Sequence, residues 1–310
     1  MTWESEIENI KTLRKLALEQ GGQDNVDRQH AKGRLTVRER IEALLDPGSF
    51  QEVGPISGTS ERDKDGQLIS FTPANFILGF GKIKERTCVV SGEDFTVKGG
   101  SPNASGLRKS IYAEHLACLH RVPLIRLHEG GGGSVGGTGG STTTVGTPVH
   151  EPHRFRSVAE AMATVPVATA ALGPVAGLPA ARLVAAHLSV MARENAQVLI
   201  AGPAVVERAL GEKKTKEELG GAHVHTKNGV IDNVADNEAH AFLQIRNFLS
   251  YLPANVWELP PIAVSNDAPD RKEPALRDMI PRDRRKLYNV RTLISHVIDT
   301  ESFFEIGSEY

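Results

Sequence analysis

The sequence predicts an α/β domain with a largely parallel sheet covered by helices, and three observations carry that prediction. Short apolar runs such as VPLIRLH (122–128) and QVLI (197–200) alternate with stretches of helical spacing. Glycine-rich turns follow the apolar runs. The 310 residues, 40% hydrophobic and 24% charged, suffice for a sizeable core.

Taken in order, residues 3–19 are expected to form one charged amphipathic helix, without the apolar core of a signal peptide. Thr36 reads as the N-cap of a helix carrying Arg40, Ile41, Leu44 and Leu45, which Asp46, Pro47 and Gly48 stop. Residues 75–83 and 86–92 read as two strands of a hairpin. Gly99, Gly100 and Ser101 form a turn, Leu107 to His120 a helix, and 122–128 a buried strand that ends in glycines. The pattern then repeats, with a helix from about Val158, a strand at 165–172, a glycine-rich turn and a helix at 179–191. A strand at 197–200 and a helix at 203–210 follow. The polar stretch 212–240 reads as a surface excursion, Asn237 to Leu252 as a helix, and 253–275, with five prolines, as a linker.

Several function classes are disfavoured. A net charge of -2 creates no global field toward nucleic acid or an acidic membrane, so neither is an expected partner. Cys88 and Cys118 form no CxxC pair, which argues against a disulfide framework and a thiolate zinc site and fits a reducing cytoplasm. The uncharged stretch 161–181 has the length of a membrane span. Pro166, Gly173, Pro174, Gly177 and Pro179 interrupt it, so it reads as buried strand, tight turn and helix start. Gly131, Gly133 and Gly136 match GxGxxG, but GGTGGSTTTVGTP is a poor helix to follow a dinucleotide turn. His223 and His225, expected on one face of a strand, lack a third metal ligand, as do His150 and His153, so no metal is expected. Arg282, Arg284, Arg285 and Lys286 read as a solvated helix start. There is neither a Walker A motif nor a GxSxG elbow.

The sequence also repeats itself. VRERIEALLDPGSFQEVG (37–54) and VRTLISHVIDTESFFEIG (290–307) share Val, Arg, Ile, Asp, Ser, Phe, Glu and Gly at an offset of 253. The expected organisation is a helical segment at 1–55, an α/β domain at 56–265, and a linker with the opening of a second repeat at 266–310.

Chemistry is expected at the glycine bends. GGGGSVGGTGG (130–140) and GPVAG (173–177) each follow a buried strand. Glycine lets backbone N–H groups converge there, and such convergence binds a negatively charged oxygen. Two tight turns without a ligand are the plainer alternative.

KGRLTVRERIEALLDPGSF (32–50), ANFILGFGKI (74–83), SGEDFTVKGGS (91–101), GPAVVERALGEKKTKEELGGA (202–222) and IPRDRRKLYNVR (280–291) resemble the carboxyltransferase β subunits of biotin-dependent acyl-CoA carboxylases, the propionyl-, methylcrotonoyl- and geranyl-CoA group. The resemblance runs from about residue 8 to 310. It implies a crotonase-like (ClpP/crotonase) ββα superhelix, the acyl-CoA-binding member of a tandem pair. It also implies carboxyl transfer from carboxybiotin to an acyl-CoA enolate, in the cytoplasm or, in a eukaryote, the mitochondrial matrix. Partners implied are a biotin carboxylase and biotin carrier subunit, a C-terminal carboxyltransferase domain, and further copies in a homo-oligomer. The chain has no biotin-attachment sequence of the Ala-Met-Lys-Met type, so the biotin belongs on another chain.

Position by position, the family's GPCAGGA falls on Gly173 to Ala180, so that Gly177 and Leu178 give amides to the thioester enolate. Its DSGGAR falls on His128 to Gly133, placing the glycine pair at Gly130 and Gly131. Phe95, Gly99, Gly100 and Ser101, with Ala176, shape the coenzyme A pocket. This chain departs from the pattern at His128, Glu129, Gly132, Gly133 and Leu178. A hydratase or isomerase on the same pocket, a biotin-dependent decarboxylase component, and a non-catalytic CoA-binding or assembly subunit are the alternatives. The second loop carries no Asp or Glu, which disfavours a hydratase.

Overall fold

The computed structural model describes residues 2–101, 103–132, 154–262, 265, 267–300 and 302–310. It opens with α1 (Glu4–Leu18), α2 (Gln23–His30) and α3 (Val37–Leu44). Next come β1 (Gln51–Glu52), β2 (Gly58–Arg62), β3 (Leu68–Pro73), β4 (Phe76–Ile83) and β5 (Arg86–Glu93). Then follow α4 (Ala104–His120), β6 (Leu124–Gly130), α5 (Arg154–Thr164), β7 (Val167–Ala176), α6 (Leu178–Val184), β8 (Leu188–Ala192) and β9 (Gln197–Leu199). The rest is α7 (Pro203–Leu210), α8 (Lys216–Gly220), α9 (Ala222–His225), β10 (Asn233–Ala235), α10 (Glu238–Ser250), α11 (Leu276–Met279) and α12 (Val290–Val297).

One sheet runs β1-β4-β5-β6-β7-β8-β10, with β9 paired beside the end of β7, while β2 and β3 form a separate hairpin. From β5 to β10 the pairings are parallel, and β4 meets β5 antiparallel across a tight turn. Lys84 and Glu85 carry that turn at φ 49° and 64°, the left-handed pair a two-residue hairpin requires. Asp46 holds it by accepting their N–H groups at 3.0 and 2.9 Å. α4 and α5 cover one face, burying Phe76, Leu78, Leu116 and Ala161. α3 and α10 cover the other, with Ile41, Leu127, Leu172 and Ile245.

The Thr36 cap is present as a capping box with Glu39. Two expected elements are corrected. The helix foreseen at 179–191 ends at Val184, and Leu188–Ala192 is a fully buried strand between β7 and β10. A buried parallel strand lacks the alternation that separates it from helix in sequence. The excursion 212–240 contains α8, α9 and the strand β10. His223 and His225 therefore sit on a short helix, with His225 Nε2 2.8 Å from the Val198 carbonyl oxygen. The cluster from Arg282 to Lys286 is exposed but not helical. His150, His153, Gly133 and Gly136 lie outside the described residues. No described helix is long and apolar enough to cross a membrane, and the described residues contain no metal-holding group of His, Cys, Asp or Glu.

The two copies of the repeat share local geometry. α3 and α12 are each 8 residues and end in an extended residue, Leu45 at ψ 167° and Ile298 at ψ 168°. The Ser49 and Ser302 N–H groups donate to the Asp46 and Asp299 carbonyls, both at 3.1 Å. Gly54 and Gly307 follow at φ 63° and 74°. Arg38 pairs with Glu52 and Arg291 with Glu305, both at 2.8 Å.

Candidate active site

Three bends leave the carboxyl ends of adjacent parallel strands, the usual place for a ligand in an open α/β sheet. β5 runs into the turn Phe95–Ser101, β6 into Gly130–Gly132, and β7 into Gly177, the N-cap of α6 at φ 65° and ψ -126°. They touch. The Gly131 N–H donates to the Gly99 carbonyl at 2.9 Å. A Cβ on Gly100 would come within 2.7 Å of the Glu129 carbonyl oxygen, which explains why glycine stands there at φ 62°. A Cβ on Gly132 would lie 3.6 Å from the Gly177 nitrogen and 3.7 Å from the Ala176 Cβ. Ser101 Oγ would be 2.9 Å from a Cβ on Gly131. Phe95 lies beneath the Arg34 guanidinium, 5.3 Å from ring centre to Cζ.

The sequence-derived residues thus come together, but not all four catalytic candidates have a free N–H. Gly131 donates to Gly99, and Gly177 donates to the Leu199 carbonyl at 3.2 Å. Gly130 belongs to the β6–β7 ladder, opposite Val175. Leu178 is the first helical residue, so its N–H has no acceptor within the helix. Among the described residues, the Leu178 and Gly132 N–H groups donate to no backbone carbonyl. The count of donors therefore differs from expectation because turns satisfy their own amides wherever a carbonyl lies close.

Beneath the bends lies a charged layer that the sequence did not announce. β6 is buried along its whole length yet contains Arg126, His128 and Glu129. On one face, Glu129 is held by Arg34 and Gln29, both at 2.5 Å, and by Arg40 at 2.6 Å. Gly173 is required there, since a Cβ would meet the Glu129 carboxylate at 2.4 Å. Arg40 also pairs with Glu238 at 2.7 Å and donates to the Leu172 carbonyl at 3.0 Å, tying α3 to α10 and β7. On the other face, His128 Nδ1 lies 3.1 Å from Glu93. Burial works to raise the Glu93 carboxyl, but His128, the Glu93 main chain and Arg182 together outweigh it, so it stays below the ordinary carboxylate range. Glu114 joins Arg126 at 3.0 Å and Arg182 at 2.8 Å. A histidine and a glutamate just before a glycine pair on an apolar strand were the available signal, since buried charges need buried partners.

Beside the Phe95 turn, between it and α2, is a recess of about 370 Å³ lined by Asn25, Arg28, Gln29, Lys32, Phe95 and Lys98. Arg28, Lys32 and Lys98 bring three cationic side chains to it, and Lys98 adopts φ 52°, a strained conformation for a non-glycine residue.

Residues 28–310 match the family model described as "Carboxyl transferase domain". The chain is 33% identical over 319 residues to the propionyl-CoA carboxylase carboxyltransferase subunit of Haloferax mediterranei, covering 100% of this chain and 59% of that protein. It is 33% identical over 308 residues to the mitochondrial propionyl-CoA carboxylase beta chain of Homo sapiens, covering 98% and 56%. Among solved structures, transcarboxylase 12S, a hexamer with methylmalonyl-coenzyme A bound, superposes with TM-score 0.84 at 28% identity, covering 100% of this chain and 59% of that one. The fold is therefore the crotonase-like α/β fold, and the chain spans somewhat over half the length of these relatives.

Proposed function

Because the chain belongs to the carboxyl transferase family, we propose that it is the acyl-CoA-binding part of a biotin-dependent carboxyltransferase, holding the thioester for carboxylation at its α carbon. The observation that carries this reading is the meeting of three strand-end bends at Gly99, Gly131 and Gly177, where the first N–H of α6, that of Leu178, is left without a helical acceptor, beside a cationic recess. Taking the α proton from a thioester puts negative charge on its oxygen. A fixed N–H aimed at that oxygen contributes about 3 kcal/mol to lowering the barrier. Leu178, with Gly132 opposite, is the donor, while Gly131 and Gly177 spend their N–H groups fixing the bends. Arg28, Lys32 and Lys98 face the phosphates of coenzyme A, and Phe95, Gly99, Gly100, Ser101 and Ala176 line the approach. A biotin group carried on another chain supplies the activated carboxyl when bound. This chain's residues orient the thioester and exclude water, which needs no catalytic triad. Assembly is as a homo-oligomer with a second carboxyltransferase domain and a biotin carrier.

The test is equilibrium binding of propionyl-CoA, coenzyme A and propionyl-pantetheine, followed by carboxylation by the whole complex with ATP and bicarbonate. Propionyl-CoA is expected to bind, more weakly as salt rises. Combining Arg28→Ala, Lys32→Ala and Lys98→Ala weakens it at least about tenfold, with little effect on the pantetheine thioester. Failure of every CoA compound to bind at about 1 mM refutes the reading.

A further inference from the structure

A small cavity opens beside Leu178, lined by Phe76, Glu93, Ser110, Leu178, Pro179 and Arg182. It offers about 20 Å³ of room to the centre of a water molecule. One water needs roughly 10–15 Å³ by that measure, so the cavity takes roughly one or two small atoms. Arg182 is only 4% exposed, and its Nη2 has no hydrogen-bond partner, although its Nε is engaged by Glu114 at 2.8 Å. A buried N–H without an acceptor is costly and seeks one. The Glu93 carboxylate lines the same space with both oxygens within 3.2 Å of His128 Nδ1, so a second anion is opposed.

Resting on the reading above, we propose that this cavity is the seat of the acyl tail and selects short acyl groups bearing a neutral oxygen, a carbonyl or hydroxyl, at the third carbon. With the thioester oxygen at the Leu178 N–H, the acyl chain leaves the bend past the Leu178 side chain. The third carbon reaches the mouth, and its oxygen accepts from Arg182 Nη2. The Leu178 side chain stands at the wall and limits length. An alkyl tail of equal size leaves the Arg182 N–H unsatisfied.

Titration of the full chain with coenzyme A and with butyryl-, acetoacetyl- and octanoyl-CoA tests this. Butyryl and acetoacetyl differ by one oxygen at the position in question. Acetoacetyl-CoA is expected to bind about tenfold tighter than butyryl-CoA. Octanoyl-CoA is expected to bind no tighter than coenzyme A, and Leu178→Gly to strengthen octanoyl-CoA while preserving the preference for acetoacetyl over butyryl. Equal affinity for acetoacetyl- and butyryl-CoA, or tighter binding of octanoyl-CoA than of butyryl-CoA, overturns the inference and leaves acyl-CoA binding intact. Absence of binding by coenzyme A and every thioester overturns both.

Discussion

α3 and α12 belong to the two copies of the repeat and share C-cap geometry, ion pair and exit turn, yet one is core and the other is surface. Val37, Ile41 and Leu44 are at most 2% exposed, packed between α10 and the β4–β5 hairpin. At the matching positions Val290 is 51% exposed and Val297 65%. The second copy is anchored mainly at its far end. There the Asn233 side chain donates to the Glu305 carbonyl at 3.0 Å, and the Gly307 N–H donates back to Asn233 Oδ1 at 2.9 Å. The contrast separates two levels of instruction. A cap, an apolar stripe and a stop are enough to specify a helix and its exit, whereas burial is decided by what the rest of the chain brings to that face.

One position sharpens the contrast most. Arg40, buried against Glu129 and Glu238, corresponds to Leu293 in the second copy. Arg40→Leu makes the copies alike there but strands the buried Glu238 carboxylate and leaves Glu129 to Arg34 and Gln29 alone. It should cost about 3–5 kcal/mol in urea unfolding and weaken thioester binding, because Glu129 immediately precedes the glycine bend. Ile41→Ala should cost about 2–5 kcal/mol, and Ile294→Ala, only partly buried, about 1 kcal/mol. Equal costs would mean that the exposed face of α12 is covered in solution.

The paired arginines differ in a third charge. Lys109 lies 3.9 Å from Glu52 in the first copy, and burial pulls its ammonium down to about 8. A lysine whose folded value lies below its unfolded one is protonated in the unfolded state while neutral in the folded state. Stability should therefore rise as pH goes from about 8 to 10.5. Two and a half units correspond to about 3 kcal/mol, and Lys109→Met should abolish the rise in a pH series of thermal melts. The smallest effect is at the caps. Thr36→Ala should cost about 1 kcal/mol of global stability. Asn289→Ala, whose side chain accepts from the Arg291 and Thr292 N–H groups, should mainly speed hydrogen exchange within α12.

Much of this was legible before any coordinates. Helix α3, the β4–β5 hairpin, α7 and α10 follow from caps, alternation and stops that act locally. β8 was not legible, because LSVMA buried on both faces has no period to read. α2 was missed because QDNVDRQH is polar, and its value lies in placing Gln29 against Glu129. At the candidate site, the glycines mark bends that the fold brings together. The division of labour among their amides was hidden, because it depends on carbonyls such as Gly99 and Leu199 that only the fold brings near. The expected division at 56 and 266 remains our proposal, supported by the repeated geometry of α3 and α12.

In the proposed function one backbone amide, that of Leu178, meets the thioester oxygen. The direct measurement is the 15N–1H resonance of Leu178 in leucine-labelled protein, titrated with propionyl-CoA and with free coenzyme A. A downfield proton shift with the thioester, absent with coenzyme A, is the expected result. A thioester that saturates the protein while the Leu178 resonance stays in place would contradict the account.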